Sequence, residues 1–355
     1  MMKIVLTGGG TAGHVTPNIA LVPKLRELGY EIVYIGTADG MERQLIEREG
    51  LPYYPIHAGK LRRYLDLKNL TDTGRIARGF LEAVALLGKL KPAVVFSKGG
   101  FVSCPVVWAA WLHRVPVIIH ESDLTPGLAN RLSLPFARTV CYTFPETARY
   151  IRSDAKTLTG IPVRATLFRG NAAVGRSLCG FGSDRPVLAI IGGSQGSGVL
   201  NTTIRGTLPE LLQEFQVCHI CGPGNIDPAL NARSGYQQFE YVNEELPHLF
   251  AMADLVVSRA GATTIFELLA LKKPNLLIPL SKQSSRGDQI LNARSFEKQG
   301  FSKVLMEEEL TAASFLTALR QLYREREAYR ARMAQSKLAG GIDAIVTLIQ
   351  QNSRR

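Results

Sequence analysis

The stretch Lys3 to Asn18, KIVLTGGGTAGHVTPN, joins an apolar, β-branched run to a segment of helical spacing through closely placed glycines. The same design returns at Val187 to Asn201, VLAIIGGSQGSGVLN. Two strand–glycine turn–helix junctions constrain the fold of this chain more than any other feature. Glycine lets the backbone turn tightly and approach a ligand closely. The helix that follows then aims its first N–H groups and the positive end of its dipole at that ligand. Gly8, Gly10 and Gly13 fit G-x-G-x-x-G, a spacing that also suits a plain tight turn. A dinucleotide site wants a carboxylate about 20 residues further on. The next strand-like run, EIVYIGTADG, offers Asp39 only after a gap.

Short β-branched runs alternate with helical stretches along the chain. KIVLTGG, EIVYIGT, AVVFSKG and PVIIHES are the runs; NIALVPKLRELG and PVVWAAWLHRV lie among them. That alternation predicts a parallel sheet covered by helices. After the Gly-rich, polar stretch that begins at Gly160, the pattern restarts, with FQVCHICG, ADLVVSRAG and PNLLIPL as later strands. The 355 residues suit two domains. We therefore expect an α/β protein of two Rossmann-like domains: residues 1–163, then 164–339, with a helix at about 340–355 packing back on the first. Ligands bind such sheets at the carboxyl ends of their strands. Two domains facing each other would give one deep cleft, lined by both glycine loops, with one substrate held by each half.

Charge narrows the partners. Lys and Arg number 42 against 30 Asp and Glu, a balance of +12 that favours an anionic partner. A nucleic-acid groove would interleave basic residues with stacking aromatics; aromatics are 8% and form no such array, so nucleic acid is not expected. The opening residues lack the apolar core of a signal peptide, and no run is long and apolar enough to span a bilayer. Cys104, Cys141, Cys179, Cys218 and Cys221 are sparse and odd in number, as in a reduced compartment. CHIC, Cys218 to Cys221, has a metal or redox spacing, but no second pair follows and its surroundings alternate like a strand.

His14 sits past the first glycine loop, at a helix start. It either caps or packs there, or projects its imidazole toward a ligand as a proton carrier. His120 and Glu121, in HES, fall at a strand end, where buried structure and substrate contact are both open.

GGGTAGHVTPN, SKGGFVSCPVVWAA, IIHESDLTPGLANR, GIPVR, IIGGSQGSGVLN, SRAGATTIFELLALKKPNLLIPL and RGDQILNA, in this order, resemble the MurG family over nearly the whole chain. Members of that family are peptidoglycan glycosyltransferases. They add N-acetylglucosamine from UDP-N-acetylglucosamine to lipid I, making lipid II. The resemblance implies the GT-B fold, inversion at the anomeric carbon, no cofactor and no required metal. It implies peripheral attachment to the cytoplasmic side of the cell membrane, on an anionic surface. It also implies other proteins of cell-wall synthesis and division as partners. Another GT-B transferase acting on a glycolipid or small acceptor, and a nucleotide-sugar-binding regulator, are the alternatives.

By position, the resemblance implies donor contacts at Thr11, Ala12 and Gly13, and a donor-binding arginine at Arg164. It implies Ser194 at the pyrophosphate or uridine side and the backbone of Val242 at uracil. Ala262, Thr263, Thr264, Ile265, Phe266 and Glu267 form the implied helix start that receives the nucleotide, and Gln289 the implied sugar contact. The family's first loop usually reads T-G-G-H, whereas this chain has Ala12 at the second place, a strained choice if that site needs a positive φ. The family often has a residue other than Asp123, which we leave outside the donor site. Glu267 can accept both ribose hydroxyls, although TIFE also fits a capping box. Helix N-termini and Arg164 would neutralise the pyrophosphate. Inverting transfer needs a base for the acceptor hydroxyl; His14 is the first candidate and Glu121 the second.

A membrane-bound acceptor directs attention to Lys60 to Lys91. Lys60, Arg62, Arg63, Lys68, Arg75, Arg78, Lys89 and Lys91 crowd there against Asp66, Asp72 and Glu82. Helical spacing puts Ile76, Phe80, Ala83 and Leu87 on one face, and Trp108, Trp111 and Leu112 add apolar surface. Arg75, Ile76, Arg78 and Phe80 are the predicted membrane patch; a core-facing helix with a basic rim is the other reading.

Overall fold

The computed structural model describes residues 2–59, 68–152, 154–193, 195–283, 285–336, 338 and 340–354; at the helix opening with Lys68, side chains are described from Gly74 onward. The chain divides into two compact units, Met1–Arg164 with Gly340–Arg355, and Ala165–Ala339.

In the first unit the elements run β1 (Lys3–Thr7), α1 (Thr16–Glu27), β2 (Glu31–Gly36), α2 (Met41–Arg48), β3 (Tyr53–Pro55), α3 (Lys68–Leu90), β4 (Val94–Ser97), α4 (Ser103–Leu112), β5 (Val117–Glu121), α5 (Leu128–Ser133), β6 (Thr139–Tyr142) and β7 (Lys156–Leu158). The strands make one parallel sheet in the order β3-β2-β1-β4-β5-β6-β7. Helices cover both faces, which explains why strands such as VIIHE are buried at every position. On one face Ile4, Leu6 and Tyr34 pack with Leu21, Leu25, Ile345 and Ile349. On the other, Val5, Val33 and Val95 meet Ala83, Leu87, Val106 and Val107.

The second unit holds α6 (Ala172–Cys179), β8 (Val187–Ile191), α7 (Gly198–Gly206), α8 (Leu208–Glu214), β9 (Gln216–Ile220), β10 (Tyr236–Phe239), α9 (Leu246–Met252), β11 (Leu255–Ser258), α10 (Ala262–Ala270), β12 (Asn275–Leu277), α11 (Asp288–Lys298), β13 (Lys303–Val304) and α12 (Ala312–Ala334). The last helix of the chain, α13 (Gly341–Asn352), supplies Ile345, Val346 and Ile349 to the core of the first unit. The second sheet is also parallel, in the order β10-β9-β8-β11-β12-β13. CHIC belongs to it: Cys218 lies within β9 and Cys221 just beyond, both buried and free.

Each sheet therefore carries its first strand centrally, with the chain reversing direction of growth on either side of it. β1 lies between β2 and β4, and β8 between β9 and β11. The glycine loops leave the carboxyl ends of these two strands. That is the topological switch point where open α/β sheets bind their ligands.

Candidate active site

In the first unit the loop after β1 is held on three sides. Gly9 N–H bonds Gly99 O at 3.3 Å. Tyr34 Oη donates to Gly8 O at 2.7 Å. Gly10, at φ +85°, takes the left-handed turn that its lack of a Cβ permits and gives its N–H to Glu42 Oε2 at 3.2 Å. Ala12–His14 then form one 3₁₀ turn. Ala12 is not among the positive-φ residues, so the family's second glycine is replaced without backbone strain.

His14 is half-buried and its Nδ1 lies 2.9 Å from Thr11 Oγ1. With the proton on Nδ1 and directed at Thr11, Nε2 is the basic nitrogen. Glu121, at the end of β5, is 4% exposed. Its Oε1 receives Asp123 N–H at 2.9 Å, and its Oε2 receives Gly127 N–H at 3.1 Å and Asn130 Nδ2 at 2.8 Å. Burial pushes this carboxyl well above its usual range, with Asp123 adding to the rise. This geometry braces the loop after β5. His120 is fully buried and bonds Gly160 O through Nε2 at 2.8 Å; burial drives it well below its usual range and keeps it neutral. Arg164 stands half-buried at the end of this unit.

In the second unit Ser194 lies outside the described residues. Its neighbour Ser197 caps α7, its Oγ receiving Leu200 N–H at 3.4 Å. Ser197 Oγ also accepts from Arg259 Nη2 at 2.6 Å. Arg259 is 7% exposed, reaches Ile278 O at 3.0 Å and is ion-paired with Glu307. It thus ties the second glycine loop to the strand ends beside it. The sequence signal for Arg259 is a charged residue directly after a buried strand, in SRAG, which motif spacing alone does not mark.

Helix α10 opens after Gly261, and Ile265 N–H is the residue that bonds back to Gly261 O, at 3.1 Å. Ala262, Thr263 and Thr264 form the first turn, the place where a helix receives an anion. Gly261 occupies the N-cap without a side-chain bond, so the capping-box reading of TIFE is overturned: Thr264 is already the third helical residue. Ile265 and Phe266 are core, Phe266 meeting Phe296 at 5.0 Å, while Glu267 is 6% exposed. Gln289 Oε1 receives Ala260 N–H at 3.3 Å and Leu280 N–H at 3.1 Å, which leaves the amide nitrogen as its donor. Val242 packs its side chain with Cys218, Leu249 and Met252.

The predicted patch on α3 divides along the helix. Ala83 and Leu87 are core residues, as the plainer reading had it. Ile76, Ala77 and Phe80 instead join Trp108, Trp111, Leu112 and Phe136 around an apolar groove of about 420 Å³. Trp111 is 57% and Leu112 54% exposed. Arg78 Nε pairs with Glu82 at 3.0 Å, and Arg75 is exposed. Lys60, Arg62, Arg63 and Asp66 lie outside the described residues, as do the side chains of Lys68 and Asp72. Among the described residues no helix is long and apolar enough to cross a membrane, and no cluster of three metal-ligating side chains occurs.

Two parallel-sheet units, each with a glycine loop at its switch point, form the class of two-domain glycosyltransferases. Comparisons with known proteins agree. Residues 4–142 match the glycosyltransferase family 28 N-terminal domain and residues 187–348 its C-terminal domain. The UDP-N-acetylglucosamine–N-acetylmuramyl-(pentapeptide) pyrophosphoryl-undecaprenol N-acetylglucosamine transferase of Clostridium tetani is 58% identical over 98% of this chain and 98% of its own length. The equivalent protein of Clostridium botulinum (strain Loch Maree) is 56% identical over 100% of both chains. The crystal structure of Acinetobacter baumannii MurG superposes with a TM-score of 0.76, at 26% identity, over 99% of this chain and 100% of its own. The chain belongs to glycosyltransferase family 28, within its MurG group.

Proposed function

We propose that this chain transfers N-acetylglucosamine from UDP-N-acetylglucosamine to N-acetylmuramyl-(pentapeptide) pyrophosphoryl-undecaprenol, the lipid-linked acceptor of peptidoglycan synthesis. The full-length likeness to relatives named for this activity carries the reading. The donor belongs to the domain 164–339, with the first turn of α10 at the nucleotide, Glu267 at the ribose hydroxyls and the Gln289 amide at the sugar. The acceptor belongs to 1–163 with the helix at 340–355. One inverting displacement forms the bond from the acceptor hydroxyl oxygen to C1 as the bond from C1 to UDP breaks. His14 Nε2 takes the hydroxyl proton. Helix N–H groups and Arg164 offset the charge left on the pyrophosphate. The chain works peripherally on the cytoplasmic side of the cell membrane, held by charge and by the groove around Trp111.

The test mixes purified protein, radiolabelled UDP-N-acetylglucosamine and a lipid I analogue. Label in a lipid-linked disaccharide is expected. Label found only in free sugar, or only in an acceptor without the lipid pyrophosphate, would defeat the reading.

A further inference from the structure

Glu307 opens the short 3₁₀ turn, Glu307–Glu309, that follows β13, and its side chain is 13% exposed. It is ion-paired with Nη2 of the buried Arg259. Arg259 is the first residue past β11 and stands two before Gly261, the N-cap of α10. The same guanidinium donates from Nη2 to Ser197 Oγ at 2.6 Å, and from Nη1 to Ile278 O at 3.0 Å and Pro279 O at 3.4 Å. Ser197 closes the second glycine loop, after β8, and Ile278 and Pro279 follow β12. Glu307 Oε1 in turn receives Ser281 N–H at 3.4 Å. One ion pair therefore joins the segments that follow β8, β11, β12 and β13, all at the carboxyl ends of a parallel sheet. An arginine so buried is costly unless its charge is offset, and among the described residues Glu307 is the acid ion-paired with it. The guanidinium is a rigid planar fork, so a carboxylate set against Nη2 also fixes where its other N–H groups point.

We propose that Glu307 is a positioning residue for the nucleotide-sugar donor: by holding Arg259 on Ser197, it sets the second glycine loop and the start of α7 where they receive the donor. This rests on the proposed donor role of the domain 164–339. Glu307 acts through Arg259, not on the donor itself. Arg259 acts through Ser197, whose Oγ also receives Leu200 N–H at 3.4 Å and so caps α7. Both acceptor positions of that hydroxyl oxygen are then filled, one from the helix and one from the guanidinium. The loop is tied to its own helix and to the neighbouring strand ends by one atom.

Glu307→Gln keeps the shape and removes the charge. UDP affinity, by calorimetry, and KM for UDP-N-acetylglucosamine should both weaken about tenfold, while KM for the acceptor stays within about twofold. Ser197→Ala keeps the ion pair but cuts its link to the loop, and should weaken UDP to a similar extent. Adding Glu307→Gln to Ser197→Ala should then cost less than about twofold more, because the two act in series. Should Glu307→Gln not fold, since it leaves a buried arginine unpaired, Arg259→Met with Glu307→Gln removes both charges and should show the same loss of about tenfold. A carboxylate that only offsets charge gives a lower melting temperature with UDP affinity unchanged. The proposal fails if UDP affinity stays within about twofold of wild type in Glu307→Gln, or in the double variant where the single one does not fold. It fails equally if Ser197→Ala binds UDP normally, or if its loss and that of Glu307→Gln multiply. Amide exchange reads the loop without any ligand: Gly196 N–H bonds Gly193 O at 3.0 Å and Leu200 N–H bonds Ser197 Oγ, and both should exchange faster in Glu307→Gln. A wild type that binds no UDP would instead overturn the donor reading, while the exchange rates would still decide whether Glu307 sets the loop.

Discussion

The Glu42 carboxylate receives the Gly10 N–H at 3.2 Å, from a helix 32 residues further along the chain. Its other oxygen holds Thr37 N–H at 3.1 Å and Thr37 Oγ1 at 2.5 Å. A Cβ at Gly9 would come within 2.7 Å of the same carboxyl. The first glycine loop is thus set in place before any substrate arrives, and Thr11 to His14 inherit their position from it. Such preorganisation lowers the cost of aligning a catalytic group.

Glu42→Gln tests this. An amide can accept at one end only and would turn an NH₂ group toward Gly10 N–H or Thr37 N–H. Losing a charged acceptor in a buried site costs about 1–3 kcal/mol. Urea unfolding should show a loss of that order. Turnover should fall as well, since the loop is no longer fixed. Unchanged stability together with unchanged turnover would mean that the loop does not depend on Glu42.

His14→Ala should lower kcat by about 10²–10⁴-fold, the usual range for general acid–base help. UDP binding, followed by calorimetry, should stay close to that of the wild type. A fall of less than about tenfold would mean that His14 is not the base. Thr11→Val should give a smaller loss, because Thr11 Oγ1 orients the ring through Nδ1 without touching the proton in transit.

The two parallel sheets, eight of their thirteen described strands and the two glycine loops were legible in the sequence, because parallel strands buried on both faces read as unbroken apolar runs. The edge strands β3, β7, β10 and β13, short or partly polar, escaped, as did β6. The division of α3 was not legible. Ile76, Phe80, Ala83 and Leu87 share one helical stripe, and only the position of α4 decides which of them reach the core. Glu42 and Arg259 escaped for a related reason. Each is a charged residue next to an element end, and its role comes from partners 32 and 62 positions away. The capping box that TIFE also fits does not form, because the helix opens at Ala262, two residues before Thr264.

Glu267→Ala should lower kcat/KM for UDP-N-acetylglucosamine by the equivalent of about 1–3 kcal/mol. Glu267 is 6% exposed, so the substitution also opens a small space, and Glu267→Gln is the companion that keeps the volume. Both should raise KM for the donor. A normal KM for UDP-N-acetylglucosamine in both folded variants would count against the ribose role.

His219 gives the second unit a built-in acid limit. Its Nδ1 lies 2.8 Å from Tyr236 Oη and its Nε2 3.0 Å from Asn201 Oδ1. Burial, with Arg205 adding to it, pushes its pKa down to about 3. The unfolded chain binds a proton near pH 6.5 that the folded chain refuses, so folding is favoured above that pH and loses ground as acid is added. Between about pH 6.5 and 3 the loss approaches 1.4 kcal/mol per unit. His219→Gln should be less stable at neutral pH, yet show a shallower fall in its urea midpoint from about pH 7 to pH 4.5. Parallel falls in both proteins would place the acid sensitivity elsewhere.

The membrane patch combines two forces that salt separates. Each basic residue near an anionic surface contributes about 1 kcal/mol, weakened by screening. Apolar insertion resists salt. Arg75→Glu with Arg78→Glu should therefore abolish most binding to anionic vesicles, the more so because Glu at position 78 faces Glu82. For the apolar part Trp111 is a cleaner probe than Phe80. Trp111 is 57% exposed, stacks edge-on to Phe136 at 5.4 Å and lines the groove, whereas Phe80 is half-buried against the core. Trp111→Ser should leave weak binding that salt reverses in full. Turnover on a short-chain, water-soluble acceptor checks that both variants remain folded. If both sediment with anionic vesicles as well as the wild type does, α3 and α4 are not the docking surface, and the groove around Trp111 has another occupant.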